Sequence, residues 1–280
     1  MEITTRYYAI GELTLAIRGP EFHESAYLSP FRCEPAPAQI LFRVAAGHPV
    51  IPRNAEMLKE TLHTADCLSA GHELTVFYRE GSRIPLLTRE QTAENHYEIC
   101  LETDCLSLYD TNLVLKILDL PQLLLKNGGI FLHASLIEVR KSGILFTAEK
   151  QVGKSTQAAL WKKYRGAEII NGDRGLLRRM DGKWMVCGSP YCGTSGICQN
   201  AVMPLRAVVI LQQGPRNVIH AASARETVAA FLSGCTFDPE TQSEIILDAA
   251  LELWKAVPVY VLSCLPEESA VACLEQALGI

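Results

Sequence analysis

No run of 18 apolar residues occurs anywhere in the 280-residue chain, so no membrane-spanning helix is expected. Residues 1–11 carry no basic stretch followed by an apolar one, which argues against an export signal. Positive charge is not in excess either. The 26 Lys and Arg face 31 Asp and Glu, and a net charge of −5 is the wrong balance for a general nucleic-acid binder. The ten cysteines contain no Cys-x-x-Cys pair and no zinc-type cluster with histidine. Cys187, Cys192 and Cys198 form the closest set, with no histidine near them. Reduced, mostly buried thiols in a cytoplasmic protein are expected, with metal ligands converging from afar left open. Repeats, low-complexity tracts and flexible linkers are also lacking.

What is present suffices for a core. Apolar residues make up 48% and charged residues 20%, and the length fits one large domain or two modest ones. The most informative stretch is 143–156, Gly-Ile-Leu-Phe-Thr-Ala-Glu-Lys-Gln-Val-Gly-Lys-Ser-Thr. Residues 144–147 read as a buried strand, 148–152 as a loop and 157–163 as a helix. Strand, tight loop, Gly-Lys-Ser and helix is the context of a phosphate-binding loop. Backbone N–H groups and the helix dipole would concentrate positive potential there. Ala148, Gln151, Val152, Gly153, Lys154, Ser155 and Thr156 are therefore the nucleotide-site candidates. Lys154 would reach the terminal phosphates, and the Ser155 hydroxyl would be a Mg²⁺ ligand. The pattern departs from its usual form at Ala148, where glycine is expected, and at Gln151. Alanine costs little at negative φ and roughly 1–2 kcal/mol in the left-handed region.

Residues 1–110 read as β-rich. Runs 6–10 and 13–17 suggest a hairpin about Gly11-Glu12, and 40–44, 74–78 and 97–101 suggest further strands. His23, His48, His63, His72 and His96 are scattered and read as solvated or structural. Residues 111–126 form a helical segment apolar nearly all round, which Pro121 would kink or divide in two. Asn127-Gly128-Gly129 stops it, and the boundary between an amino-terminal portion (1–110) and a core (111–280) is placed near this helix.

Within the core, 130–138 reads as a strand containing His133. Turning at Lys141-Ser142-Gly143 into the 144–147 strand, it would bring His133 beside the phosphate loop, although a core histidine bonded to a carbonyl fits as well. Ile169-Ile170 is β-prone and ends in Asn171-Gly172-Asp173-Arg174. Asp173 there would hold the metal through water or take the acceptor's proton. Arg174 would steady phosphate charge or pair with a carboxylate. A hairpin with an Asp181-Gly182 turn, a small-polar loop at 188–196 and a strand at 207–211 follow. Ser223 to Glu226 reads as a capping box, Asp238-Pro239 as the start of a helix over 240–255, 259–262 as a strand and 266–278 as a closing helix.

Leu132-His133-Ala134, Gly153-Lys154-Ser155-Thr156, Asn171-Gly172-Asp173-Arg174 and the turn from Gly188 to Gly193 together resemble the HPr serine kinase superfamily. More closely the chain resembles the HPr-kinase-related proteins of bacterial peptide-modification and uncharacterised gene clusters, and the stretch at 257–271 looks like that group's usual ending. The likeness covers about 110–280. It implies an α/β mixed-sheet P-loop core shared with phosphoenolpyruvate carboxykinases, here preceded by a β-rich portion. It implies ATP, Mg²⁺ and phosphoryl transfer to a serine hydroxyl, with His133 beside the reacting phosphoryl group. It further implies that Asp173 is one of two acidic residues doing base and metal work, the other position being Gly172. The acidic-arginine-glycine signature of true HPr kinases is missing, which removes HPr itself as the substrate. The expected function is thus a serine kinase acting on a peptide, protein or small molecule. The alternative is a nucleotide- or peptide-binding scaffold without turnover. Acceptor identity and homo-oligomerisation are left open.

Overall fold

The computed structural model describes residues 2–61, 65–69, 73–79 and 81–280. His63 and His72 lie outside them, while His23, His48 and His96 are exposed, as scattered solvated histidines should be. The chain forms two compact units, Met1–Leu120 and Pro121–Ile280.

The first unit is built on strands β1 (Ile3–Ile10), β2 (Leu13–Pro20), β3 (Arg32–Cys33), β4 (Ile40–Gly47), β5 (Glu56–Thr61), β6 (Ala65–Ser69), β7 (Glu73–Tyr78), β8 (Pro85–Ala93) and β9 (His96–Glu102). They make one sheet in the order β3-β1-β2-β4-β9-β8-β7-β6-β5. The expected first hairpin turns at Gly11 and Glu12, both left-handed at φ 56° and 65°. Strand β4 runs parallel to both neighbours, and its Phe42 stacks on Tyr97 of β9 at 4.8 Å. The sequence reading missed β3, β5, β6 and β8. In β8 the reason is visible: Thr88 and Arg89 are buried, so the strand lacks apolar alternation. Arg89 is satisfied by donating to the Ile117 carbonyl at 3.1 Å and lying over the Tyr97 ring. Helix α1 (Thr111–Leu118) closes this unit, capped by the Asp110 carboxylate, which accepts from Leu113 N at 3.0 Å.

Asp119, left-handed at φ 45°, separates α1 from α2 (Leu120–Lys126), so the apolar segment is two abutting helices. Pro121 sits in the first turn of α2, where a missing N–H costs nothing.

The second unit contains β10 (Gly129–Val139), β11 (Ser142–Thr147), α3 (Lys154–Arg165), β12 (Glu168–Asn171), β13 (Arg174–Met180), β14 (Lys183–Cys187), β15 (Val202–Gln213), β16 (Val218–Ala221), α4 (Ala224–Gly234), α5 (Ser243–Ala256), β17 (Val259–Cys264) and α6 (Glu268–Leu278). The fold is mixed α/β. Its sheet runs β11-β10-β13-β14-β15-β17-β16, with β12 also on β10 and β11 also on β15. Strand β10 carries β13 and then β12 along its length, and β11 beside its second half. Residues 129–133 pair with β13, and 134–139 pair with β11. Strands β11, β15 and β17 are mutually parallel, so their carboxyl ends lie together.

Alternate residues of these strands go to opposite faces. Ile144, Phe146, Ala207, Val209 and Leu262 pack with Ala158 and Trp161 of α3 and with Val271, Leu274 and Leu278 of α6. Leu145, Val208 and Val261 pack with Phe231 of α4 and with Ile246, Ala250 and Leu253 of α5. Burial on both faces explains why these strands read as unbroken apolar runs. The Asp238 start expected for α5 is corrected. Asp238–Gln242 is a turn in which Gln242 N and Thr241 N donate to the Asp238 carbonyl, and the helix begins at Ser243. The Gln242 amide oxygen takes the Asp238 N–H at 2.7 Å, and the Asp238 carboxylate accepts from Glu240 N at 3.2 Å. Nine of the ten cysteines have described side chains, and these are free thiols, of which Cys105, Cys187 and Cys192 are buried and the other six partly buried, fewer buried than expected.

The Ser223 capping box is present in both directions: Ser223 N donates to Glu226 Oε2 at 2.8 Å, and Glu226 N donates to Ser223 Oγ at 3.2 Å. The Ser223 hydroxyl and N–H, with His220, hold the Glu226 carboxyl down to about 2 from 4.5. A depressed carboxyl contributes stability that is complete above about 4.5 and lost as pH falls toward 2. Glu226→Gln is therefore expected to destabilise the protein at pH 6 and to lose that effect near pH 2. Denaturant unfolding across this range checks it, and a pH-independent difference would contradict it.

Candidate functional site

Strand β11 ends at Thr147 and the chain turns through 148–153 into α3 at the carboxyl ends of the parallel strands. In open α/β sheets such ends are where ligands are held. Ala148 is not among the residues with positive φ, so its methyl group is tolerated without strain. Gln151 is at φ 68°, a conformation that costs a non-glycine residue roughly 1 kcal/mol or more. Its carbonyl accepts from Gln213 Nε2 at 3.5 Å, tying the loop to the end of β15. Gly153 has φ 128°, ψ 20° and is the N-cap of α3 without a side-chain cap. A Cβ placed there would meet nothing within 4 Å, so the mouth of the helix is open. The first N–H groups of α3, at Lys154, Ser155 and Thr156, have no acceptor within the helix. This arrangement fits an oligophosphate.

Lys154 is 8% exposed, and its ammonium donates to the Ala148 carbonyl at 3.0 Å and the Glu149 carbonyl at 3.2 Å. The side chain is thus strapped across its own loop. Burial lowers its pKa, and the Asp173 charge opposes that shift. Ser155 and Thr156 are exposed at the helix start, and Glu149 is exposed and turned outward.

His133 is the last residue of β10 to pair with β13, just before the pairing with β11 begins at Ala134. Its Nδ1 lies 3.4 Å from Asp173 Oδ1. Burial first, then the Lys154 charge, lowers its pKa, and Asp173 pulls the other way. Arg174 Nε is 3.6 Å from Asp173 Oδ2, its guanidinium covers the Tyr191 ring at 5.3 Å, and its NH1 donates to Thr236 Oγ1 at 3.0 Å. The Thr147 hydroxyl donates to the His133 carbonyl at 3.1 Å, linking the phosphate-loop strand to the histidine strand. Lys154, His133, Asp173 and Arg174 are therefore brought together, by β10, β11 and the β12–β13 connection.

That connection is held by Asn171, which is fully buried. Its Oδ1 accepts from Asp173 N at 2.8 Å and Arg174 N at 2.7 Å. Its Nδ2 donates to the Ser189 carbonyl, the Ser189 hydroxyl and the Tyr191 carbonyl at 2.9, 3.3 and 3.1 Å. Ser189, Tyr191 and Thr236 were not picked out individually from the sequence. The small-polar composition of 188–196 pointed to the first two, and nothing local points to Thr236.

Gly172 has a specific steric reason. A Cβ there would overlap the Ser195 hydroxyl and stand 2.5 Å from Ser195 Cβ, so the turn at 193–195 occupies the space of any side chain. Gly193, left-handed at φ 53°, lies so close to Asp173 that a Cβ on it would be 2.7 Å from the carboxyl carbon. Position 172 is therefore filled by the chain itself. Gly172→Asp is expected to destabilise the protein by about 1–3 kcal/mol through displacement of this turn. Denaturant unfolding would show it, and unchanged stability would contradict the packing described.

Neither a protein-family model nor a curated protein matches the chain. Among solved structures, the Hpr(Ser) kinase/phosphatase from Coxiella burnetii is 14% identical with a TM-score of 0.30, covering 53% of this chain and 92% of its own. At that identity and TM-score the likeness decides nothing about activity. No described helix is long and apolar enough to cross a membrane.

Proposed function

We propose that the chain binds ATP with Mg²⁺ at residues 148–156 and transfers the terminal phosphoryl group to a serine hydroxyl of a peptide, protein or small molecule. One observation carries the reading: an open helix start with a loop-strapped lysine stands beside a carboxylate that is flanked by an imidazole and a guanidinium. The N–H groups at the start of α3 would hold the phosphates. Lys154 would exchange its loop carbonyls for phosphate oxygens, and the Ser155 hydroxyl and Asp173 would hold the metal. Bound Mg²⁺ would supply neutralisation of triphosphate charge. Asp173 would orient the acceptor hydroxyl and take its proton. His133, kept neutral by burial and by Lys154, would act as a hydrogen-bonding neighbour of the transferred group. Arg174 would offset charge on the phosphoryl oxygens, and its seat on Tyr191 and Thr236 fixes its direction. Residues 1–110 would contribute acceptor recognition.

A second reading, nucleotide binding without turnover, is favoured by one feature: the 193–195 turn rests on the only acidic side chain of the cluster, and Gly172 adds none. Titration of Mg·ATP by calorimetry separates these readings from a loop that holds no ligand. Lys154→Ala is expected to weaken binding about a hundredfold, or ~2.7 kcal/mol. Asp173→Asn is expected to retain nucleotide while phosphoryl transfer to a serine peptide library falls by 10²-fold or more. Absence of binding at millimolar nucleotide would overturn both readings, and binding without any transfer would favour the second.

A further inference from the structure

We infer that the chain carries its own phosphoryl acceptor, the hydroxyl of Ser195, and modifies itself within one molecule. The inference rests on the nucleotide-site reading above. Ser195 is exposed and lies at the end of a short 3₁₀ turn, Gly193–Ser195. Gly193 and Gly196, at φ 53° and 66°, bend the chain on either side of it. That bend presses the turn onto the segment Gly172-Asp173. The Ser195 hydroxyl fills the place a Cβ on Gly172 would take, and Gly193 lies against the Asp173 carboxyl.

The hydroxyl is also oriented. It donates to the Cys192 carbonyl at 2.6 Å and accepts from Ile197 N at 3.2 Å. Gly172 N in turn donates to the Ile197 carbonyl at 3.2 Å, and Asn171 Nδ2 donates to the Tyr191 carbonyl at 3.1 Å, so both limbs of the loop are fastened to the Asp173 segment. A serine held this way packs on the residue that precedes the proposed base, while its own turn lies against the carboxyl of that base, which is 3.4 Å from His133 and faces the Lys154 charge. Fixing two reacting groups on one framework removes most of the entropic cost of bringing them together. The effect does not require a tight complex with an outside acceptor.

The step balances. Ser195 Oγ forms a bond to the terminal phosphorus of ATP, and the bond from that phosphorus to the bridging oxygen of ADP breaks, with its electron pair leaving on ADP. In the step the hydroxyl turns from the Cys192 carbonyl toward Asp173, whose carboxylate takes the proton and passes it to water. The product puts a phosphate of charge near −2 on the turn that packs against Gly172 and Asp173.

The test is incubation of the purified chain with Mg·ATP and no other acceptor, followed by peptide mass spectrometry, with calorimetry of Mg·ATP on the same preparation. Up to one phosphate per chain is expected on Ser195, at a rate constant independent of protein concentration. Lys154→Ala and Ser195→Ala should each lower incorporation at that peptide at least tenfold. Lys154-dependent nucleotide binding with no phosphate on Ser195 would overturn this inference and leave the nucleotide site standing. Phosphate on Ser195 whose rate constant rises with protein concentration would overturn the intramolecular route. Absence of nucleotide binding would overturn both. Mapping on the unmodified chain keeps the result independent of whether the variants fold.

Discussion

One buried amide holds the site together. Asn171 has no access to solvent and meets its hydrogen-bonding capacity inside the protein, on one side with two backbone N–H groups and on the other with the 189–191 strand exit. A buried amide left short of partners would cost about 1–3 kcal/mol per unsatisfied group, so the arrangement is held as a set. Through it the direction of Asp173, the seat of Arg174 and the position of the loop that covers Gly172 are all decided at once.

The second constraint is the pairing of β10. Strand β10 pairs with β13 up to His133 and then, through Ala134 N donating to the Asp173 carbonyl at 2.9 Å, with β12, while β11 pairs with it from Ala134 onward. The phosphate loop enters from β11 and the acidic connection from β12–β13, so two segments some twenty residues apart meet there. Helices α3 and α6 on one face and α4 and α5 on the other keep the sheet buried, and the polar groups gather only where the strands end.

Much of this was legible in the sequence. The phosphate-loop strand and helix, the Asp181-Gly182 hairpin, the capping box at Ser223 and the closing helix with Ala270, Val271, Leu274 and Leu278 inward all stand where periodicity and caps put them. Local signals of that kind depend on neighbours a few residues away. Strand β8 was hidden because its buried Arg89 is satisfied by a carbonyl 28 residues later, and no window on the sequence contains both. The same limit applies to Gly172. In the sequence it reads as a lost carboxylate, whereas its glycine is demanded by Ser195, which comes into contact only through the loop. At 238–242 a local signal misled: Asp238 Oδ1 does accept from Glu240 N, yet the chain closes only a turn there and α5 begins at Ser243.

The account stands on the convergence of the loop at 148–156 with Asp173 about a bound oligophosphate. A crystal structure with Mg²⁺ and a non-hydrolysable ATP analogue tests this most directly. The account predicts the phosphates on the N–H groups at the start of α3, Lys154 released from the Ala148 and Glu149 carbonyls, and the terminal phosphate between Lys154 and Asp173. A nucleotide bound elsewhere, or an unliganded loop with Lys154 still on its carbonyls at saturating analogue, would contradict it.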